Sequence, residues 1–219
     1  MDVTQALRER RSVRAFTSQV PSAELVQQLM QDAALAASGG NMQPWRVTAI
    51  TGEPLQAMLQ EVAATPGEEN PKHLSYPNNL WEPYRTRRFS NGEDLYKSIN
   101  IPREDKPGRL KQLAKNARFF DAPVGLLVLT EERMGPVQWI DLGIYLQSFM
   151  LRATEAGLAT CAQGFWRRYD SVVKKHINAP EGYMVAFGIA LGYEDKTAPI
   201  NTMRATRAEF SEWGQLQGF

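Results

Sequence analysis

The chain has 219 residues, 43% of them hydrophobic and 22% charged, so it can bury a core of the size that a stable globular protein needs. Its 25 basic residues balance 24 acidic ones, and a net charge of +1 argues against binding nucleic acid through bulk charge. The single cysteine excludes an internal disulfide and any metal site built from several cysteines. His73 and His176 lack metal-ligand spacing, so we expect no metal centre.

The N-terminal segment indicates neither export nor membrane insertion. Residues 1–14 are polar and rich in arginine, without the apolar stretch of a signal peptide. No run in the chain approaches the roughly 20 apolar residues of a membrane span. Together with the low cysteine content, this predicts a cytoplasmic protein with no membrane or nucleic-acid partner.

The first third of the chain predicts three helices and one strand. Residues 2–10 begin with an aspartate and a glutamine at capping-box spacing, which indicates a helix start. Residues 22–38 repeat apolar side chains every four positions until two glycines stop the helix. Residues 45–51 alternate as a strand does, and residues 55–62 predict a short amphipathic helix.

Residues 66–109 differ in character from the rest of the chain. Six of the 13 prolines fall here, and no long apolar periodicity survives. We therefore predict irregular structure, while the density of aromatic residues argues against disorder. Two interpretations remain open. The segment is either an irregular excursion packed on the core or a lid over a pocket.

The second half of the chain predicts two long strands and two helices, besides a short strand described below. Residues 123–130 form an unbroken apolar run, typical of a strand covered on both faces. Residues 136–157 are apolar nearly all round and predict a long, buried helix. Asp170 is the expected cap of a further helix, and residues 183–193 predict the last strand.

The last strand is predicted to have one large face and one small face. The large face carries Val185, Phe187, Ile189 and Leu191. The opposite face carries only alanine and glycine, so a helix or backbone can approach closely. The tail 194–219 has little periodicity but several large apolar residues, and it is stable only if it packs on its own core or on a second subunit.

Arginines gather near both ends of the chain. Guanidinium groups match phosphate oxygens bidentately and a serine hydroxyl can add a donor, so the first group is a candidate phosphate site. Arginines at a helix C-terminus can equally be solvated and complement only the helix dipole. The first group consists of Arg8, Arg10, Arg11, Ser12 and Arg14. Arg204 and Arg207 in the tail could close the same site from the other end of the chain.

Two loops combine glycine with polar groups. In the loop before the first strand, the amides of Asn41 and Gln43 suit the polar edge of a heteroaromatic ring, although an ordinary connecting loop has the same composition. Further on, a predicted short strand ends in Gln163 and Gly164, whose backbone N–H groups could meet a ligand. We interpret the adjacent Cys161 as a small buried hydrophobic residue, because no histidine is near it in sequence.

Glycine-rich dinucleotide and Walker motifs are missing, yet five segments in chain order resemble the nitroreductase family of flavoproteins. They read RRSVRAF, SGGNMQPW, FFDAPVGLLVL, GLATCAQGF and GIALGYEDKTAPIN. The resemblance implies an α+β fold of three α/β/α layers with a mostly antiparallel sheet, and one domain over residues 1–219. It further implies an intertwined homodimer that binds FMN at its interface, with residues 194–219 as an arm that crosses to the partner and 66–109 as an insertion.

The resemblance also implies which residues bind FMN. The phosphate would be held by Arg10, Ser12 and Arg207, with Arg11 sharing the site and Arg204 as the alternative to Arg207 from the tail. Arg14 would lie near the pyrimidine end of the flavin. The ring and ribityl chain would meet Ser38, Asn41 and Gln43, and flavin N5 would meet backbone donors of Gln163 and Gly164.

The implied activity is a ping-pong oxidoreductase that takes electrons from NADH or NADPH and passes them to nitroaromatic or related flat, electron-poor acceptors. The flavin would carry the chemistry, with Arg14 as electrostatic support and no catalytic side chain. Trp81, Tyr84 and Phe89 would form the wall for the acceptor. The alternatives are a flavin-dependent ene-reductase or reductive dehalogenase, a flavin-binding sensor without fast turnover, and an anion-binding regulator without flavin.

Overall fold

Four antiparallel strands form the centre of the computed structural model, which describes residues 1–71 and 73–219. In chain order the strands are β1 (Arg46–Thr51), β2 (Val124–Glu131), β3 (Ala159–Gln163) and β4 (Tyr183–Gly192). In the sheet their order is β1–β2–β4–β3, so the apolar β2 and β4 are central. All residues of β2 except the last are buried, which confirms the prediction of a strand covered on both faces.

Seven α-helices lie in the described part of the chain. They are α1 (Val3–Glu9), α2 (Ala23–Ala33), α3 (Gly52–Ala64), α4 (Tyr84–Ser98), α5 (Lys106–Ala114), α6 (Pro136–Glu155) and α7 (Asp170–His176). The predicted start of α1 is confirmed, since Oδ1 of Asp2 accepts a hydrogen bond from the backbone N of Gln5 at 2.7 Å. Among these helices, none combines the length and the apolar character that crossing a bilayer requires.

Helices cover both faces of the sheet. On one face, α3 and α7 pack with Leu127, Leu129 and Trp166 in a buried cluster. On the other face, α2 and α6 pack over Leu126 and Val128 in a second cluster. This arrangement confirms the predicted α+β fold of three layers with an antiparallel sheet.

A β-bulge in β4 changes the predicted sidedness of this strand. Phe187 pairs with Val128 and Val185 pairs with Leu129, which leaves Ala186 as an extra residue. Ile189 therefore packs on the α2 and α6 side, but Val185 packs on the α3 and α7 side, so its predicted face was wrong. Strict alternation from the sequence cannot anticipate an inserted residue.

The small face of β4 provides the close approach that its sequence predicts. The ring of Trp166 lies on Gly188, where an added Cβ would stand 2.3 Å from Cδ1 of the indole. Trp166 is fully buried and stacks on Phe119 with the ring centroids 4.0 Å apart. Glycine at this position thus makes room for the largest side chain of the core.

The prediction of irregular structure for residues 66–109 was wrong, because the segment contains the 15-residue helix α4 and the start of α5. No residue of α4 is fully buried, so the helix has no apolar stripe that a sequence pattern could reveal. Position 72, which falls in this segment, lies outside the described residues.

Two details of the second half also differ from expectation. Asp170 is the first residue of α7 and not its cap, and its Oδ1 accepts a hydrogen bond from the backbone N of Val185 at 2.7 Å. The helix α6 is not buried all round in the single chain, since Val137 and Ile140 are 55% and 64% exposed.

The tail runs in two parts. Its first part is tied to the segment after α1, because Nδ2 of Asn201 donates to the carbonyl of Ala15 at 2.9 Å and Oδ1 accepts from the backbone N of Arg14 at 2.9 Å. Beyond it, Phe210, Trp213 and Phe219 are exposed in the single chain.

Candidate functional site

The two ends of the chain meet in a cleft of ≈ 340 Å³, which we call the arginine cleft. It lies where the segment after α1 passes the tail, and Asn91 of α4 closes one side. The fold thus brings together every residue that the sequence analysis assigned to a phosphate site. These lining residues are Arg8, Arg10, Arg11, Ser12, Arg14, Arg204 and Arg207.

Positive charge dominates the arginine cleft, because none of its described lining residues is acidic. Arg10 is half-buried. Its burial, together with the charge of Arg207, holds the pKa of its guanidinium below the ordinary value. Arg11 differs from the others, since its Nη2 contacts Oε1 of Glu194 at 2.5 Å. Two facing cations without a carboxylate between them are the arrangement expected of a site for a multiply charged anion.

Backbone contacts hold Ser12 and Arg14 in place. Ser12 bridges to Thr160 of β3, and the N–H of Val13 donates to the Thr160 carbonyl at 2.9 Å. The Arg14 guanidinium lies 5.9 Å from the ring centroid of Phe120, over the aromatic face. The segment after α1 is therefore fixed along the outer edge of β3, with Arg14 directed to the end of that strand.

A second cleft of ≈ 650 Å³, here called the central cleft, adjoins the first. Arg14 and Asn91 line both clefts, which makes them neighbours. Gln163 and Gly164 line the central cleft at the end of β3, as the sequence analysis expected of a ligand contact. A Cβ added to Gly164 would meet no atom within 4 Å, so a flat ligand can reach the backbone there.

The side chain of Gln163 is not available to a ligand. It is 3% exposed, its Nε2 donates to the Asn116 carbonyl at 2.9 Å, and its Oε1 accepts from Trp166 Nε1 at 3.2 Å. Only the backbone of Gln163 can therefore serve the cleft. Cys161 is also 3% exposed, and burial raises the pKa of its thiol, which fits the interpretation as a buried hydrophobic residue.

The loop with Ser38, Asn41 and Gln43 lines neither cleft. It packs on α6 instead, where the N–H of Gly39 donates to Oδ1 of Asp141 at 3.2 Å. Within the loop, the Ser38 hydroxyl accepts from the backbone N of Gln43 at 3.0 Å. In the single chain, these three residues stay apart from the predicted phosphate site.

Trp81, Tyr84 and Phe89 do not line the central cleft either. Trp81 and Phe89 line a groove of ≈ 920 Å³ beside α4, and Trp81 and Tyr84 line a smaller one of ≈ 380 Å³. Their predicted role as the wall for an acceptor stays a prediction. The side chain that connects these grooves with the central cleft is Arg88, which lines all three.

Several residues that line the clefts were not predicted from the sequence. Asn91 and Arg88 lie on α4, whose polar composition carried no pattern. Asn116 and Phe120 lie in the turn before β2, and the FFDAPVG motif pointed to that turn without assigning a role to it. Phe119 and Phe120 adopt left-handed conformations with φ of 50° and 55°, a geometry that sequence alone does not indicate for phenylalanine.

Comparison with known proteins agrees with this fold. The sequence profile of the nitroreductase family matches residues 7–193. A nitrobenzene nitroreductase from Ectopseudomonas oleovorans is 36% identical over 215 residues, which cover 96% of this chain and 95% of that protein. A 4-nitrobenzoate reductase from Pseudomonas putida is 32% identical over 219 residues, which cover 100% of this chain and 96% of that protein.

Two solved structures are similar over the whole chain. The FMN and NADPH-dependent nitroreductase NfnB from Sphigopyxis sp. strain HMH has a TM-score of 0.94 and 39% identity, with 100% of both chains covered. The FMN-dependent nitroreductase NfnB from Mycobacterium smegmatis, solved in complex with NADPH, has a TM-score of 0.89 and 27% identity, with 99% of this chain and 100% of that chain covered. The chain belongs to the nitroreductase family, which confirms the resemblance drawn from its motifs.

Proposed function

We propose that this protein is an FMN-dependent oxidoreductase that transfers electrons from NADH or NADPH to nitroaromatic or related electron-poor acceptors. The observation that carries the proposal is the pair of cations Arg10 and Arg207 in a cleft that adjoins an open one at Gly164. The names of the relatives support it, since they include nitrobenzene and 4-nitrobenzoate reductases and a structure that is FMN and NADPH-dependent.

The residues present fit FMN. A phosphate monoester would compensate the like charges of Arg10 and Arg207, and Ser12 can add a hydroxyl donor. Arg11, paired with Glu194, would contribute mainly by holding the tail in place. When bound, FMN supplies the hydride and electron chemistry of the reaction.

The chain's own residues would orient the flavin ring and stabilise charge on it. Arg14 lines both clefts, so it lies between the site of the phosphate and the site of the ring. From there it would stabilise negative charge at the pyrimidine end of the ring. The backbone of Gln163 and Gly164 would offer donors at the other edge of the ring. A single open cleft beside them would receive donor and acceptor in turn, which predicts ping-pong kinetics with parallel double-reciprocal lines.

We further propose a homodimer that completes the site. The loop with Ser38, Asn41 and Gln43 does not reach its own clefts, while Ile140 on α6 and Trp213 in the tail expose apolar surface. In a dimer that buries these faces, the loop of one protomer would meet the cofactor of the other. We expect the variant Ile140→Asp to sediment as a monomer and to retain FMN less well than the wild type.

We also propose that the protein is located in the cytoplasm, and cell fractionation tests this location.

One experiment tests the proposed function. The purified protein is incubated with FMN, desalted and inspected for flavin absorbance, then titrated anaerobically with NADH or NADPH. We expect a yellow protein that bleaches with a nicotinamide and regains colour when nitrobenzene or 4-nitrobenzoate is added. A protein that stays colourless contradicts the FMN proposal, and a yellow protein that does not bleach indicates a flavin sensor. Recovery only with activated alkenes or halogenated compounds would favour the alternative enzymes.

A further inference from the structure

Arg88 is an exposed residue of α4 that lines the central cleft. It lines the central cleft together with Gln163 and Gly164, and it also lines both grooves on the outer side of α4. The floor of the cleft is buried, as the 3% exposure of Gln163 shows, whereas Arg88 is exposed. Arg88 thus lies at an exposed edge of the central cleft, within the lining that a bound ligand would face.

Arg88 differs from its neighbours on α4 in having no carboxylate partner among the described residues. Arg85 contacts Glu82 at 2.8 Å, and Arg87 contacts Glu212 at 3.1 Å. The Arg88 guanidinium instead lies over the ring of Tyr76, 4.2 Å from its centroid. Stacking covers one face of the guanidinium and restricts its orientation, while its N–H groups stay open to a ligand.

The other charged groups of the central cleft are part-buried or already paired. Arg167 has no carboxylate partner among the described residues, but it is part-buried, donates to the His73 carbonyl, and lies with its guanidinium 5.2 Å from the Trp139 ring centroid and its Nε buried without a hydrogen-bond partner. Arg168 contacts Glu69 at 3.7 Å, and Glu69 also accepts from the Ser75 hydroxyl at 3.1 Å. Arg14, which lines both clefts, is assigned above to the flavin. Arg88 therefore supplies the cation that is left for a substituent on the acceptor.

We propose that Arg88 is a specificity-determining residue that binds a carboxylate on the aromatic acceptor, so that nitroaromatic acids are preferred over neutral nitroaromatics. This inference rests on the proposed function and deepens it. The fork of a guanidinium matches a carboxylate with two parallel hydrogen bonds, a match that an uncharged substituent cannot make. The ring of Tyr76 keeps that fork in place.

The test compares acid and amide ligands of the same shape. For the FMN-loaded protein, kcat/KM is measured with 4-nitrobenzoate and 4-nitrobenzamide, and equilibrium binding is measured with benzoate and benzamide, which are not reduced. We expect Arg88→Ala to lower the acid-to-amide ratio about tenfold or more in both measurements, as loss of a charged hydrogen bond requires. Arg88→Lys should lose less, because it keeps the charge but not the fork. Arg85→Ala is the matched control and should leave both ratios at the wild-type value.

Three results would overturn the inference. One is an equal loss for acid and amide, which would mean that Arg88 only supports the packing of α4. Another is an unchanged ratio in Arg88→Ala. The third is a KM that rises for NADPH and not for the acid, which would assign Arg88 to the phosphate of the donor. Benzoate binding keeps the two proposals separable, because it requires no turnover. A wild-type protein that binds benzoate through Arg88 but reduces no nitroaromatic would contradict the proposed function and leave the carboxylate site standing.

Discussion

The guanidinium of Arg11 and the carboxylate of Glu194 form an ion pair in which one nitrogen, Nη2, lies 2.5 Å from Oε1 and 2.6 Å from Oε2. Both side chains are largely covered, at 25% and 13% exposure. The pair joins residues that lie 183 positions apart, at the point where the tail begins. It thereby ties the start of the tail to the segment that carries Arg10 and Ser12.

Glu194→Gln should lower the free energy of unfolding by about 1–2 kcal/mol, because it leaves the partly buried Arg11 without its counter-ion. Urea unfolding followed by circular dichroism measures the change. Glu212→Gln serves as the control, since its pair with Arg87 is half exposed and should matter little. Equal stability of Glu194→Gln and the wild type would show that the pair is not a structural tie.

The double variant Arg10→Ala/Ser12→Ala should weaken FMN binding by roughly 100-fold or more, since each lost charged hydrogen bond contributes about 1.5–3 kcal/mol. Quenching of flavin fluorescence during titration gives the dissociation constant. Arg133→Ala is a suitable control, because Arg133 is exposed and pairs with Glu131 away from both clefts. Undiminished affinity in the double variant would mean that the phosphate binds elsewhere.

Arg207 and Arg204 should differ in their effect on FMN. Both guanidinium groups donate through Nη1 to two backbone carbonyls, Arg204 to Asn201 and Met203 at 3.2 Å and Arg207 to Ala205 and Thr206 at 2.9 Å. They differ in that burial and the charge of Arg207 lower the pKa of Arg10, which couples Arg207 to the arginine that the phosphate would meet. We therefore expect Arg207→Ala to raise the dissociation constant about tenfold or more, and Arg204→Ala to raise it less. The same fluorescence titration decides between them, and the reverse order would make Arg204 the phosphate ligand.

Gly188→Ala should destabilise the fold by about 1–3 kcal/mol, since its Cβ would overlap the buried indole of Trp166. Gly92→Ala is the matched control in α4, where an added Cβ meets nothing within 4 Å. There the same change should stabilise by about 0.5–1 kcal/mol, because alanine is the better helix former. Chemical unfolding should show a lower free energy of unfolding for Gly188→Ala and a higher one for Gly92→Ala. A Gly188→Ala variant as stable as the wild type would contradict the close packing.

Cys161 should react slowly with thiol reagents in the folded protein. Burial raises the pKa of its thiol, so at pH 8.5, where about half of ordinary cysteines are ionised, Cys161 carries little of the reactive thiolate. The rate of reaction with dithionitrobenzoate, compared before and after denaturation, measures this. Cys161→Ala should retain turnover, and its complete inactivation would instead indicate a thiol mechanism.

Local features of the chain were predictable because they depend on neighbouring residues. Asp2 and Ser22 cap their helices as their side chains require, and the apolar run of β2 is buried on both faces. The helix α4 was not predicted, because its mostly polar sequence has no apolar stripe. The side of the sheet on which Val185 packs was predicted wrongly, because one bulged residue reverses the alternation along β4.

The sequence by itself determined the family, the antiparallel fold and the residue types of the candidate phosphate site, since motifs and short-range periodicity carry that information. The tertiary structure decided which arginines are free to bind. Arg11 is paired with Glu194 and Arg85 with Glu82, while Arg10, Arg207 and Arg88 line the clefts without a carboxylate partner among the described residues. Charge on a side chain is set by its type, but its availability depends on the groups that folding places beside it, and here those groups come from distant parts of the chain.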